Sequence, residues 1–155
     1  MIVYLSLGSN LGDRSARLTE ALALLDLRLG TGSERVSSFI ETPAWGFCGP
    51  DFLNCVVCYD LDKPWTPTRL LDACQAIERK MGRTGNPEWD AEGRRIYHDR
   101  PIDIDILFWG TRRLRTTRLV IPHPLIPERD FVMVPLKEIA DESILRAFPE
   151  IFERK

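Results

Sequence analysis

The sequence predicts a single α+β domain, in which an antiparallel sheet packs against helices. Two observations lead to this class. Short apolar runs with strand character alternate along the chain with segments whose apolar residues recur at helical spacing. The 155 residues, 44% hydrophobic and 28% charged, contain no repeat, low-complexity tract or linker. This length and composition fit one globular domain, 1–155, with a packed core.

The first half of the chain predicts a strand, a helix and two more strands. Residues 2–7 form an apolar run that ends at a Gly-Ser-Asn turn. A helix follows, with Asp13 as its N-cap and Gly30 at its stop, because leucines recur between them every three or four residues. Strands are then predicted at 36–42 and 52–61, on either side of an irregular loop. We expect these two strands to be antiparallel.

The second half predicts a helix, a strand and an appended C-terminal part. A Thr-Pro pair at 66–67 suits a helix cap and first helical residue. The segment 83–101, rich in Gly, Pro and charge, is expected to be a lid or disordered. A strand is predicted at 102–109, a short strand at 131–134 and a closing helix at 136–147. The order β-α-β-β-α-β is the ferredoxin-like arrangement, an antiparallel sheet with helices on one face.

Charge, hydropathy and cysteine usage exclude several classes of protein. The formal net charge of −2 gives no general attraction for nucleic acid or an anionic membrane, and no apolar stretch is long enough to span a bilayer. The N-terminal residues indicate a first strand and not a signal peptide. Cys55 and Cys58 are three apart on a predicted strand and should point to opposite faces, which argues against a metal or redox pair. We therefore expect a cytoplasmic protein with reduced thiols.

Two aspartates on the strand predicted at 102–109 are the first candidates for chemistry. Asp103 and Asp105 are two residues apart, so both carboxylates face the same side, about 6–7 Å apart. A solvated strand face gives the same alternation, and the pair alone favours that interpretation. Arg83 and Arg100, on either side of the long segment, change the balance. Two acids and several arginines together suit magnesium-assisted phosphoryl transfer from ATP.

Other polar and aromatic residues add candidates with open alternatives. Gln75 and Glu78 share a helix face and could hold the ribose or base of a nucleotide, or form a polar helix surface. His123, between two prolines, could be structural or reach a phosphate. Asn54 interrupts an apolar strand, and its amide could pair with the edge of a heterocycle or with nearby backbone. Phe131 could stack on a flat ring or pack in the core.

Eight different short motifs are distributed along the whole chain in a fixed order. They are Gly8-Ser9-Asn10-Leu11-Gly12-Asp13-Arg14, Thr42-Pro43, Phe52-Leu53-Asn54, Gln75-x-x-Glu78, Gly82-Arg83, Arg100-x-x-Asp103-x-Asp105-Ile106, Pro122-His123-Pro124 and Arg129-x-Phe131. Each motif alone is weak, but the ordered set at these spacings is specific. As a set the motifs resemble those of the 6-hydroxymethyl-7,8-dihydropterin pyrophosphokinases of folate biosynthesis.

This resemblance implies a ferredoxin-like fold and transfer of pyrophosphate from ATP to the hydroxymethyl group of the pterin, with release of AMP. It implies that Asp103 and Asp105 hold two Mg²⁺ ions that bridge the triphosphate, and that Arg83 and Arg100 stabilise the transferred group. The residues implied for the ATP site are Gln75, Glu78, Ile106 (through its backbone), Arg118, His123 and Arg129. Those implied for the pterin site are Thr42, Pro43, Asn54 and Phe131, with one further aromatic.

The segment 84–99 departs from the family's pattern, because it is longer than in the compact members. Two contacts are therefore left as alternatives: a basic residue, Arg94 or Arg95, and the second aromatic, Trp45 or Tyr97. The rival class is a non-catalytic ferredoxin-like module that binds a ligand or RNA. Aspartates on the strand that would carry RNA-stacking aromatics argue against RNA. We expect a monomer whose partners are ATP and the pterin, with no nucleic acid and no membrane.

Overall fold

The computed structural model describes residues 1–43, 49–82, 88–89, 91–92, 95–96 and 101–153. Its strands are β1 (Ile2–Ser9), β2 (Arg35–Val36), β3 (Ile40–Thr42), β4 (Phe52–Asp60), β5 (Glu88–Trp89), β6 (Arg95–Ile96), β7 (Asp103–Trp109), β8 (Leu114–Arg115) and β9 (Val120–Ile121). Its helices are α1 (Arg14–Leu29), α2 (Pro67–Lys80), α3 (Asp130–Ile139), α4 (Glu142–Ala147) and α5 (Pro149–Phe152), and a 3-10 turn, Ile126–Glu128, precedes α3. No helix in these ranges is long and apolar enough to cross a membrane.

The central sheet has the antiparallel organisation predicted from the element order. β1 and β4 are its two central strands, and β7 is the edge strand beside β1. β2 and β3 both pair with β4 at the other side. All of these pairings are antiparallel, and β5–β6 and β8–β9 form separate short hairpins. The ferredoxin-like α+β class is therefore confirmed.

Helices cover both faces of this sheet, which corrects the expectation of helices on one face only. α1 and α2 pack on one face, around Leu25 and Leu70. α3, α4 and α5 pack on the other face, around Leu136 and Phe148, so the C-terminal part builds a second core instead of extending the first. β1 and β4 are almost fully buried as a result. We call these two surfaces of the sheet the α1/α2 face and the α3 face.

The C-terminal part corrects two predictions. Residues 131–134, predicted as a strand, belong to α3, and the closing helix predicted at 136–147 is divided into α3 and α4. The strand prediction is wrong because four apolar residues carry too little periodicity, whereas the buried residues between Val132 and Ile139 recur at helical spacing. The helix is divided because the Asp141 carboxylate accepts a hydrogen bond from the Ile144 N–H and caps a new one.

The strand predicted at 36–42 is also divided, into β2 and β3. Between them the Ser37 hydroxyl accepts a hydrogen bond from the backbone N–H of Val56, at 2.8 Å. The backbone N–H and the hydroxyl of Ser38 both donate to the Glu138 carboxylate of α3. Side-chain bonds replace part of the backbone ladder here, which a strand-period pattern cannot reveal.

The predicted helix ends and the cysteine geometry are confirmed. Asp13 caps α1 by accepting from the Ala16 N–H at 3.1 Å, and Gly30 ends it with a φ of 73°. Thr66 caps α2 in the same way. Cys55 lies in the core under the α1/α2 face and Cys58 in the core under the α3 face. Most of the segment 83–101 lies outside the described residues, and the expectation of a lid falls there.

Candidate active site

Three neighbouring strands place an amide, a glycine and a carboxylate in one row on the α3 face. Asn54 of β4 is the cross-strand partner of Gly8 in β1, and Gly8 is the partner of Asp103 in β7. The residues next to them in each strand are buried in the α1/α2 core, so these three face α3. Adjacent strands are about 4.8 Å apart, which puts Asn54 and Asp103 about 10 Å from each other. We call this line of residues the Asn54–Gly8–Asp103 row.

Gly8 leaves the middle of the row without a side chain. A Cβ atom at this position would lie 2.7 Å from Asn54 Oδ1 and 3.3 Å from Phe52 Cδ1. The first distance is shorter than real side chains show, so glycine is what lets Asn54 and Phe52 close over the middle strand. Asn54 is only 4% exposed, and its Nδ2 donates to Thr42 Oγ1 at 2.8 Å. One end of the row thus combines a buried amide, a hydroxyl and an aromatic edge.

The other end of the row carries the two aspartates. Asp103 and Asp105 are half-buried and alternate with the buried Ile104 and Ile106. Their carboxylates therefore share the α3 face, which is the arrangement that the two-residue spacing predicts. Arg129, at the start of α3, reaches this pair with its Nη1 3.7 Å from Asp105 Oδ2. A guanidinium this close partly balances the negative charge of the aspartates.

His123 reaches the site through an irregularity in β7. The pairing of β1 with β7 shifts after Ile106, which leaves Leu107 as an extra residue. The Leu107 carbonyl accepts a hydrogen bond from the backbone N–H of His123 at 3.1 Å. The ring Nδ1 of His123 accepts from the backbone N–H of Leu125 at 3.2 Å. In the neutral ring the proton is therefore on Nε2.

The surroundings of His123 favour its neutral form. The pKa of His123 is lowered to about 4, mainly by burial and in addition by the positive charge of Arg129, while the negative charge of Asp103 acts in the opposite direction. Near pH 7 the ring is therefore uncharged, and its Nε2–H can serve as a hydrogen-bond donor.

Arg129 and Phe131 form the wall of the site on the α3 side. The Arg129 guanidinium carbon lies 5.5 Å from the centroid of the Phe131 ring, within the range of a cation–π contact. Phe131 is partly buried against the core under the α3 face. Because Arg129 also approaches Asp105, this turn joins the aspartate pair to an aromatic face.

The outer edge of β7 borders a cavity of about 280 Å³. Residues 104–106, residues 116–120 and His123 contribute to its lining. Glu78 of α2 is 6% exposed, and its Oε2 accepts the backbone N–H of Ile104 at 2.9 Å. By the alternation of the ladder, the backbone of Ile106 faces the same outer edge. Since Asp105 and His123 both line the cavity, it is continuous with the aspartate pair.

Arg118 lies beside the same cavity and is held by α2. Its Nη2 donates to Asp72 Oδ1 at 2.8 Å and to Gln75 Oε1 at 3.4 Å. Gln75 and Arg118 are therefore neighbours, whereas the Glu78 carboxylate is turned inward against β7.

Several of the predicted site residues lie outside the described ranges. These are Arg83, Arg100, Trp45, Arg94 and Tyr97. The side chain of Arg95 is not described either, and Pro43 is exposed at the end of a described range. The remaining predicted site residues occupy the row, the wall and the cavity described above.

Two residues of this surface had no role assigned from the sequence. Phe52 is two residues before Asn54, so the strand period alone would have placed both on one face. Gly8 stands inside an apolar strand, which is a signal for close approach of a neighbouring group. Both are within the motifs quoted above.

Comparison with known proteins shows the family of the chain. A family model described as 7,8-dihydro-6-hydroxymethylpterin-pyrophosphokinase matches residues 4–141. Three curated relatives are each named 2-amino-4-hydroxy-6-hydroxymethyldihydropteridine pyrophosphokinase. The protein from Porphyromonas gingivalis is 46% identical over 141 residues, which are 90% of this chain and 90% of that protein. The protein from Methylorubrum extorquens is 39% identical (92% of this chain, 84% of that protein), and the one from Bacillus subtilis 37% (91% and 79%). The chain belongs to the 7,8-dihydro-6-hydroxymethylpterin-pyrophosphokinase family.

Proposed function

We propose that the Asn54–Gly8–Asp103 row brings together the two substrates of this enzyme. The chain is a pyrophosphokinase of folate biosynthesis that transfers pyrophosphate from ATP to 6-hydroxymethyl-7,8-dihydropterin. The observation that supports the residue assignment is the row itself: a buried amide and a carboxylate pair on one surface, about 10 Å apart. The non-catalytic ligand- or RNA-binding alternative has no support among the relatives.

The pterin is assigned to the Asn54 end of the row. A pterin ring presents donors and acceptors along one edge, and a primary amide can satisfy one of each. Asn54 is buried and already oriented by Thr42, so little side-chain freedom would be lost on binding. Phe131 would contact the flat face of the ring, and Pro43 would border the entrance. Phe52 is added to the residues proposed for the pterin site because its ring lies close to Gly8, in the middle of the row.

Magnesium is assigned to Asp103 and Asp105, and two ions are expected. Two half-buried carboxylates on one face fit this cation, which typically uses one or two carboxylates together with substrate phosphates. No cluster of three or more potential metal ligands occurs within the described ranges, so phosphate oxygens would complete the coordination. When bound, magnesium neutralises charge on the phosphate oxygens. Arg129 would exchange part of its contact with Asp105 for a phosphate.

ATP is assigned to the cavity beside β7. Arg118 and Gln75 border this cavity, and the outward backbone of Ile106 can bind the edge of a base. Glu78 supports the same strand through the Ile104 N–H. His123 would donate its Nε2–H to a phosphate oxygen without adding charge. Arg83 and Arg100, outside the described residues, are assigned to the charge that develops on the transferred group.

The reaction is an in-line displacement at the β-phosphorus of ATP. The hydroxymethyl oxygen of the pterin forms the new P–O bond, and the bond from the β-phosphorus to the α–β bridging oxygen breaks. AMP leaves with that oxygen, and the hydroxyl proton passes to a base or to water. The residues of this chain contribute by holding the two reactants on adjacent parts of one rigid sheet.

The direct test is the nucleotide product. Purified protein with magnesium and ATP should release AMP only when 6-hydroxymethyl-7,8-dihydropterin is present, and ADP should not form. ADP would indicate a different phosphoryl transfer. A folded protein without nucleotide turnover would favour the non-catalytic alternative.

A monomeric, cytoplasmic enzyme that does not bind nucleic acid completes the proposal. The net charge of −2 supports the last point. Cys55, Cys58 and Cys74 are buried and free, which suits a reducing compartment. Sedimentation of the purified protein would test the monomer.

A further inference from the structure

The turn that follows β1 is tied to both ends of the segment between β3 and β4. Arg14, the first residue of α1, donates from Nη1 to Glu41 Oε1 at 3.1 Å and to the backbone carbonyl of Asp51 at 2.9 Å. Asn10, in the same turn, donates from Nδ2 to the Pro50 carbonyl at 3.3 Å. A surface cavity of about 460 Å³ lies where these segments meet. One short turn therefore holds the chain both before Thr42 and before Phe52.

The strand to which Arg14 is tied, β3, is short. β3 has three residues, and its only strand partner in the described ranges is β4. Ile40 pairs with Asn54, and Thr42 pairs with Phe52. The bond from Asn54 Nδ2 to Thr42 Oγ1 spans these same two strands. Any separation of β3 from β4 would therefore release the amide that we assign to the pterin.

The position of Arg14 makes it a fixed point for this junction. Asp13 caps α1 and sets the start of the helix, so the Arg14 backbone is held by the helix and not by the hairpin. Its side chain is 29% exposed, and the Glu41 side chain is 56% exposed. An ion pair this exposed contributes little to global stability. Its effect is expected to be local, on the spacing of β3 and β4.

We infer that Arg14 is a positioning residue for the pterin-binding end of the row, acting through Glu41 and Asp51 on the Thr42–Asn54 pair. This inference rests on the proposed pterin site. It does not involve the nucleotide side, because within the part of the chain that the structure describes Arg14 bonds to Glu41 and Asp51 and does not line the cavity beside β7.

The test compares Arg14→Met with Arg17→Met. Both variants remove one positive charge from the first turns of α1, so their effects on the helix dipole are similar. Within the described residues no ion pair or side-chain hydrogen bond holds Arg17. Pterin affinity is measured by titration calorimetry with magnesium and an ATP analogue whose α–β bridge is a methylene group, which blocks transfer. KM for ATP, in the absence of the analogue, and the melting temperature are measured on the same protein preparations.

Arg14→Met is expected to weaken pterin binding about fivefold, which corresponds to about 1 kcal/mol. KM for ATP should stay within about twofold, and Arg17→Met should match the unchanged protein. Arg14→Lys should recover part of the affinity, because an ammonium group retains the charge but not the two-directional geometry of the guanidinium. In a double-mutant cycle, Glu41→Gln should add little to Arg14→Met, since both remove the same contact.

Two results would overturn the inference. One is unchanged pterin affinity in Arg14→Met while Asn54→Ala still weakens it, which would leave the pterin site in place without Arg14. The other is a parallel loss of pterin and ATP affinity with a lower melting temperature, which would indicate a purely structural role. If Asn54→Ala itself bound the pterin normally, the proposed pterin site would fail first.

Discussion

Replacing Gly8 by alanine tests whether the middle of the Asn54–Gly8–Asp103 row must lack a side chain. The added Cβ would lie 2.7 Å from Asn54 Oδ1, whereas ordinary contacts begin at 3.4 Å, so Asn54 would have to retreat by about 0.7 Å. Asn54 is held on its other side by Thr42 at 2.8 Å, and a shift of that size would lengthen or break this bond. We expect overpacking to lower the free energy of unfolding by about 1–2 kcal/mol. Pterin binding should weaken at least about tenfold, equivalent to about 1.4 kcal/mol.

The assay is KM for the pterin at saturating magnesium and ATP, together with KM for ATP and urea unfolding. Gly32→Ala is the matched control, because a Cβ there meets nothing within 4 Å. In an Asn54→Ala background the atom that clashes is gone, so Gly8→Ala should cost much less stability than in the unchanged protein. An unchanged KM for the pterin, or the same loss of stability in both backgrounds, would refute the steric argument.

Three further predictions concern the aspartates, the β7 edge and the histidine. Asp103→Asn and Asp105→Asn should each lower kcat by at least about a thousandfold, measured as AMP formation across a magnesium titration, and near-normal kcat in either would contradict the metal assignment. Glu78→Ala should lower the free energy of unfolding by about 1–3 kcal/mol, because it removes the acceptor of the buried Ile104 N–H. Glu78→Gln keeps an acceptor and should lower it less. Equal losses of stability in the two variants would contradict this account. The pKa of His123 is lowered from 6.5 to about 4, so on acidification the unfolded chain takes up this proton before the folded protein does. The free energy of unfolding of the metal-free protein should therefore fall as the pH falls between these values, by at most about 1.4 kcal/mol per pH unit. In urea unfolding, His123→Asn should show a weaker dependence of stability on pH.

The fold was predictable where local signals and tertiary packing agree. Asp13 and Gly30 delimit α1 as expected, because a cap and a left-handed glycine act within one turn of the helix. Prediction failed where the deciding contact comes from a distant element. The division of β2 from β3 depends on Ser37 and on Glu138, about a hundred residues later in the chain. The short run at 131–134 became helical because its burial is set by the second core.

The site was predictable to a similar degree. The common face of Asp103 and Asp105 follows from the strand period alone. The approach of Arg129 to Asp105 does not, since it requires α3 to start beside β7, and no local pattern encodes that placement. Glu78 is a second case in which sequence spacing did not predict the contact of a side chain. Its spacing to Gln75 suggests a shared ligand, whereas its buried carboxylate is engaged by the Ile104 N–H.

The location of the site follows from how polarity is distributed along three strands. On the α3 face, β1, β4 and β7 each carry an apolar side chain at the level of Tyr4 and a small or polar residue at the level of Gly8. The aligned apolar residues are Tyr4, Cys58 and Phe108, which lie in the core that α3, α4 and α5 build. At the level of Gly8, the register aligns Asn54, Gly8 and Asp103 in one row. A buried amide or carboxylate needs polar partners, so the apolar side chains of the C-terminal helices suit the level of Tyr4 better than this row. Arg129 and Phe131 border this row, and this division of one sheet face into an apolar and a polar part supports the proposal that the two substrates meet there.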